Sequence, residues 1–277
     1  MQIIVLIEDS KRSGSGYIAE HGLSFYFKHG GKRILFDTGA SDSFVYNATL
    51  LGVDLSKVDA CVISHAHYDH AGGLKFFLEL NKAARVYMKR EAVGKYYIKR
   101  YGKYKYVGIE PGVLEKYSDR IVFINEDTQI AQGVFAANAD IQRNTPRFSS
   151  LMYKKQDEEF VRDDLKHELF IAVKGEEGAS VITACSHSGL LNILMSAKEK
   201  FGEIEGVAGG FHLDGAKRCG MRVKQEPGHE INAIAKYLSD NRIKKVYTGH
   251  CTGEKPFEKL EMLAQVKKMQ TGDVIEI

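Results

Sequence analysis

Apolar runs of strand length recur along the whole chain and alternate with stretches of helical periodicity, a pattern that predicts a layered α/β architecture. Strand patterns fall at residues 2–7, 22–28, 33–37, 59–64, 85–88, 120–124, 133–136, 168–173, 179–184, 244–247 and 274–277. The turn His29-Gly30-Gly31-Lys32 joins the second and third of these as a hairpin, because glycine readily adopts the positive φ such a turn needs. Helical spacing falls at 41–51, 73–80, 190–200 and 229–238, with Ser41 placed to cap the first. Strands followed by helices occur twice, before about residue 125 and after about residue 168, so the chain reads as two similar halves, each able to offer site residues.

The stretch 138–166 breaks this rhythm, being polar and weakly periodic. A long irregular segment inside a compact domain is usually functional or mobile. It is expected to be a lid or substrate-facing loop, part of an insertion spanning roughly 90–166, with Arg143 and Arg147 available to an anion; a plain surface excursion is the alternative.

A length of 277 residues with 44% hydrophobic and 27% charged content fits one large globular domain over 1–277. No run approaches the roughly 18 unbroken apolar residues of a membrane span, and the first residues lack a basic flank and a cleavage site. A cytoplasmic protein with no membrane association is expected, and a homodimer is compatible with the sequence. Cys61, Cys185, Cys219 and Cys251 are scattered with no CxxC pair, which predicts no disulfide framework. Cys185 and Cys251 each lie within two residues of a histidine, so either is placed to line a site or to pack as a small buried hydrophobe.

A net charge of +3 does not by itself imply nucleic acid. Residues 89–105 are locally basic, however, with Lys89, Arg90, Lys95, Lys99, Arg100, Lys103 and Lys105 interleaved with Tyr96, Tyr97, Tyr101 and Tyr104. That pattern suits either an anionic, ring-containing ligand or single-stranded nucleic acid, or else a solvated helix face with tyrosines packed beneath it.

The chemistry concentrates in His65-Ala66-His67-Tyr68-Asp69-His70. Three imidazoles and a carboxylate in six residues are costly to bury without partners, and metal binding satisfies them. The segment follows an apolar strand and precedes Gly72-Gly73 and a helix, which places it at a strand's carboxyl end, where layered α/β folds bind ligands. His65 and His67 project the same way and can chelate one ion, while Asp69 and His70 point toward a second. Further ligands are expected at the ends of later strands beside glycine: His187 in Cys185-Ser186-His187-Ser188-Gly189, and His250 in Gly249-His250-Cys251-Thr252-Gly253. His212, in Gly209-Gly210-Phe211-His212-Leu213, is a third candidate; His21, His29, His167 and His229 look ordinary, although His21 is within reach of the cavity.

These residues resemble the HxHxDH signature of metallo-β-lactamase-fold hydrolases. Glu20-His21-Gly22-Leu23-Ser24, Leu35-Phe36-Asp37-Thr38-Gly39, Cys185 to Gly189, Gly209 to Leu213 and His250 to Gly253 narrow the likeness. Together they are similar to the branch of 7,8-dihydropterin-6-ylmethyl-4-(β-D-ribofuranosyl)aminobenzene 5'-phosphate synthase. The resemblance implies a four-layer αββα sandwich with the metals at one edge. Many members use a bridging aspartate from a strand in the second half, and Cys185-Ser186-His187 stands in that place here.

The expected reaction is hydrolysis or synthesis on an anionic, phosphate-bearing small molecule, with two divalent ions, zinc foremost and iron or manganese as alternatives. Asp69 is the expected ligand and proton acceptor, His212 the proton donor or anion binder, and Asp37 a residue that orients a ligand. Three other readings compete: a nucleic-acid phosphodiesterase, although nucleic acid is not the favoured partner; an iron-dependent redox enzyme; and a non-catalytic metal-binding protein. The complete set of six candidate ligands speaks against the last.

Overall fold

A computed structural model describes residues 1–141, 151–213 and 228–277. The first half runs β1 (Gln2–Ile7), β2 (Ser24–His29), β3 (Lys32–Phe36), α1 (Ser43–Leu50), β4 (Ala60–Val62), α2 (Tyr68–Ala71), α3 (Leu74–Leu80), β5 (Arg85–Lys89), β6 (Lys95–Arg100), β7 (Lys103–Tyr106), α4 (Val113–Lys116) and β8 (Ile121–Ile124). The second continues with β9 (Thr128–Ala131), β10 (Val134–Ala137), β11 (Met152–Gln156), β12 (Glu159–Arg162), β13 (Phe170–Lys174), β14 (Ala179–Ile182), α5 (Leu190–Phe201), β15 (Ile204–Gly210), α6 (Gly228–Asp240), β16 (Lys245–Gly249), α7 (Glu254–Ala264), β17 (Lys267–Lys268) and β18 (Val274–Glu276).

Two seven-stranded sheets result, ordered β18-β1-β2-β3-β4-β5-β8 and β17-β16-β15-β14-β13-β10-β9. Strand alternation explains why they stack. Val5, Phe25, Phe27, Ile34 and Phe36 of the first sheet meet Val134, Ile171, Val173, Ile182 and Ala208 of the second in one buried cluster. Their sequence neighbours point the other way: Tyr26 and Leu35 pack with Phe44 and Phe77 of α1 and α3, and Phe170 and Ala172 with Ile193 and Leu238 of α5 and α6. Helix, sheet, sheet, helix is therefore the layer order, the αββα sandwich. A bulge between Val5 and Ile7 breaks the alternation in β1 and turns Leu6 and Ile7 toward the same helical layer. The β2–β3 turn places Gly30 at φ 56° and Gly31 at φ 73°, a two-residue turn that side chains would strain.

From β3 through β4 and β5 to β8 the strands run parallel, as they do from β14 to β17. Their carboxyl ends gather at one edge, the location at which open α/β sheets bind ligands. Among the described residues, no helix is long and apolar enough to cross a membrane.

Three segments differ in secondary structure from the pattern read in the sequence. The basic, tyrosine-rich stretch is not a helix face, because its period is two: β6 and β7 are strands of a third, four-stranded sheet ordered β12-β11-β6-β7. Its aromatics pack on one another, with Tyr104 stacked on Phe160 at 3.8 Å and the Arg162 guanidinium 4.6 Å from the centre of the Tyr153 ring. The stretch 138–166 is not irregular throughout, since it contains the β11–β12 hairpin of that sheet, and Arg143 and Arg147 lie outside the described residues. The first helix starts at Ser43 rather than at 41, and the Ser41 hydroxyl accepts the Ser43 N–H at 3.1 Å.

One buried cation ties the motif's helix to its sheet. Arg120 donates to the carbonyls of Leu78 and Asn81 at the end of α3, where helical acceptors are left unpaired, and to that of Ala84 just before β5. Arg120→Ala should lower folding stability by about 3 kcal/mol, since several buried carbonyls lose a charged donor. Urea unfolding would check this, and a loss below about 1 kcal/mol would mean that water replaces the guanidinium.

Candidate metal centre

The turn after β4 fixes its histidines through Asp37, which follows β3 and adopts φ 60°, a left-handed conformation that Asp tolerates better than most residues. Asp37 Oδ1 accepts the Ser64 N–H at 2.7 Å, while Oδ2 accepts the Ser64 hydroxyl at 2.7 Å and His70 Nδ1–H at 2.8 Å. The Ser64 hydroxyl has a single proton and gives it to Asp37, so at 2.8 Å from His65 Nδ1 it can only accept. His65 therefore carries its proton on Nδ1 and presents a bare lone pair on Nε2. That nitrogen is buried without a hydrogen-bond partner.

Around it the other half of the fold supplies its residues. His187 follows β14, and its Nε2 lies 3.1 Å from His67 Nδ1. His250 follows β16, and its Nε2 lies 3.2 Å from His70 Nε2 and 3.6 Å from Asp69 Oδ2. Nitrogens bound tetrahedrally to one zinc at their usual bond length stand about 3.3 Å apart, so both separations suit a shared ion. Of the compact clusters of ligating atoms, two join the motif to the second half through Cys185, His65–Cys185–His187 and His70–Cys185–His250, the atoms of each within 4.8 Å of one another; Cys185–His212–Cys251 is another of the same size.

Electrostatics prepares the two sets differently. Burial, with the neighbouring imidazoles adding to it, holds His65 and His187 well below the ordinary histidine range. Burial likewise lowers His67 to about 3. All three are neutral at physiological pH, the form that binds metal. For His250 burial is outweighed by Cys251, then by Asp9 and Asp69, which raise it to about 9. A proton on His250 can thus fill the gap to His70, and a cation would take its place. Burial raises Asp69, but the neighbouring imidazoles of His70, His250, His21 and His67 outweigh it and bring the carboxyl to about 2.

A shell of acidic residues orients these groups. Asp9, just past β1, accepts from His250 Nδ1 at 2.6 Å and from His21 Nδ1 at 3.0 Å, while His21 Nε2 reaches Asp69 Oδ2 at 3.2 Å. Glu8 accepts the His250 N–H. Glu168 accepts the N–H groups of His187 and Ser188, each at 2.7 Å. His167 accepts the Ala66 N–H at 3.1 Å and donates to Asp163 at 2.9 Å, so it braces the motif from behind. Ser186, His212 and His250 all have positive φ, as ligand turns held by surrounding bonds often do.

The structure brings His65, His67, Asp69, His70, His187 and His250 together and sets the His212 ring 4.3 Å from that of His187. Sequence reasoning passed over Asp9, Glu8 and Glu168, and it set His167 aside as ordinary. The one available signal for Glu8 and Asp9 was an acidic pair at the carboxyl end of an apolar strand. The small sheet abuts the site as well: the Tyr68 N–H donates to Val107 O at 2.8 Å, and the buried Tyr96 ring lies 4.1 Å from that of His167.

The family model described as the metallo-beta-lactamase superfamily matches residues 18–167. A solved structure described as a metal-dependent hydrolase of the beta-lactamase superfamily is 32% identical, covers 100% of this chain and 99% of its own, and superposes with a TM-score of 0.81. Two proteins of Methanocaldococcus jannaschii are also similar. An uncharacterized protein is 29% identical over 94% of this chain and 95% of its own length. A 7,8-dihydropterin-6-methyl-4-(beta-D-ribofuranosyl)-aminobenzene-5'-phosphate synthase is 26% identical over 100% and 96%.

Proposed function

The chain belongs to the metallo-β-lactamase superfamily, and from that premise we propose that it is a metal-dependent hydrolase or synthase acting on an anionic, phosphate-bearing small molecule of pterin-precursor type. The observation that carries the reading is the buried, unpartnered lone pair of His65 Nε2 inside two adjoining sets of metal-ligating side chains. Divalent ions, zinc foremost, would be held by His65, His67 and His187 on one side and by Asp69, His70 and His250 on the other. Such ions supply Lewis acidity, polarising a substrate oxygen and making water acidic near neutral pH.

The protein's own groups then divide the work. Asp69, charged and facing His21, His70 and His250, orients the attacking oxygen and accepts its proton. His212, half-buried beside His187, donates to the leaving group or binds the developing charge. Asp9 and Asp37 fix the ring orientations of His250 and His70, the role carboxylates commonly take behind metal-binding imidazoles. Similarity to a synthase supports the phosphate-bearing substrate and leaves condensation open beside hydrolysis.

Metal content tests the centre directly. Protein prepared anaerobically without added metal should carry two equivalents by mass spectrometry, with His67→Ala and His250→Ala each losing one selectively. A single equivalent unchanged by His250→Ala would refute the two-ion site. Dihydropterin and ribofuranosyl-aminobenzene phosphates, assayed beside simple phosphodiesters, test the substrate class.

A further inference from the structure

The two ligand sets have one residue in common. Cys185 stands with His65 and His187 in one and with His70 and His250 in the other, and its Sγ lies 3.1 Å from His70 Nε2. We infer that the Cys185 thiolate is a metal ligand shared by both ions. The inference rests on the two-ion reading above.

Three observations support it. The thiol is buried at 3% exposure, at the end of a strand whose backbone is already committed to the site through His187 and Ser188. Beside it lies His65, whose Nε2 is buried with no partner, so the pocket that holds the sulfur also holds an unsatisfied donor of electrons. The second nearby thiol is set apart by position: Cys251 Sγ lies 3.5 Å from the Cys185 carbonyl oxygen, accepts the His212 N–H at 3.3 Å, and clusters with Cys185 and His212. Gly210 leaves the space for that arrangement, because a Cβ there would stand 2.6 Å from Cys251 Sγ. Cys185, which stands in both histidine clusters, is therefore the better placed of the two thiols to be the shared ligand.

Chemically the step is simple. The Cys185 S–H bond breaks, its proton leaves to solvent, and the sulfur's electron pair forms the bond to metal; nothing is oxidised or reduced. Zinc–thiolate bonds of about 2.3 Å are long enough for one sulfur to span two ions roughly 3.5–4 Å apart. A thiolate in this position favours zinc or ferrous iron over magnesium or manganese, which prefer oxygen.

Cobalt(II) substitution reads the bond without reference to turnover. Anaerobically cobalt-loaded wild-type protein should show an intense near-ultraviolet sulfur-to-cobalt charge-transfer band. Cys185→Ser should abolish that band and weaken metal binding by at least about tenfold, as loss of a direct ligand or its orienting partner does. Cys251→Ser should keep the band, and Cys185→Asp, which offers a carboxylate in place of the thiolate, should keep two ions without it. Should Cys185→Ser fail to fold, Cys185→Asp carries the same comparison. A band that survives in either Cys185 variant, or that disappears in Cys251→Ser, overturns the assignment. Two bound cobalt ions with no band in wild type would sink this inference alone, whereas fewer than two ions would sink the two-ion reading first.

Discussion

Asp69→Asn should lower kcat/KM by roughly 10²–10⁴-fold while leaving the fold intact, the range expected when a positioned proton acceptor is removed. The substitution keeps the shape and one oxygen but removes the charge that the neighbouring His70, His250, His21 and His67 imidazoles favour, with the carboxyl brought to about 2. Asp69 Oδ2 is within 3.2 Å of His21 Nε2, 3.6 Å of His250 Nε2 and 3.8 Å of His70 Nε2, so it sits where both the second ion and an attacking oxygen would be oriented. Metal content measured on the same preparation separates its two roles. Two ions retained with the rate lost would assign Asp69 to proton transfer and orientation, and one ion lost would make ligation its main contribution. Full turnover with both ions bound would remove Asp69 from the chemistry. Asp69→Glu is the informative companion, because it restores charge with the oxygen displaced by one methylene.

All eleven strands expected from hydrophobic patterning are present within a few residues, because in a two-sheet sandwich covered by helices a strand buries one face or both and reads as an alternating or continuous apolar run. β15 escaped for the opposite reason. Its sequence Ile204-Glu205-Gly206-Val207-Ala208-Gly209-Gly210 is glycine-rich, which argues against a strand on propensity. Tertiary approach decides the matter: a Cβ at Gly209 would lie 1.9 Å from Thr183 O, and one at Gly210 2.6 Å from Ala184 O, so small residues let β15 seat against the turn that carries Cys185 and His187. α7 was hidden by Pro256, which is tolerated in a first turn where no N–H is needed.

The site divides along the same line. His65, His67, Asp69 and His70 were legible because four metal-ligating types in six residues have no comparable packing explanation. His187 and His250 were legible only as a recurrence at strand ends. Asp9 was not, because its function depends on a neighbour 241 positions away, brought to it when β18 pairs with β1 and β16 lies in the facing sheet. Local patterns report what a residue type needs, whereas the partner that meets the need is set by topology.

Asp37→Ala tests that dependence at its strongest point and should cost about 3–5 kcal/mol of folding stability. Asp37 is fully buried and accepts three bonds, from the Ser64 N–H, the Ser64 hydroxyl and His70 Nδ1–H. Alanine leaves those donors without an acceptor in the core and also strains the backbone at φ 60°. Asp37→Asn separates the two effects: asparagine tolerates the left-handed conformation, so its loss reports the charge and acceptor capacity alone. The consequence reaches the metal through a defined path. Without Asp37 the Ser64 hydroxyl is free to donate to His65, the tautomer of that ring is no longer fixed, and His70 can rotate away from His250. Metal affinity should therefore fall about 10–100-fold in both variants, measured by competition with a chromophoric chelator alongside urea unfolding of the apoprotein. Wild-type affinity in Asp37→Asn would show that the ligand rings hold their orientation by packing alone, and the proton inventory built on Ser64 would have to be abandoned.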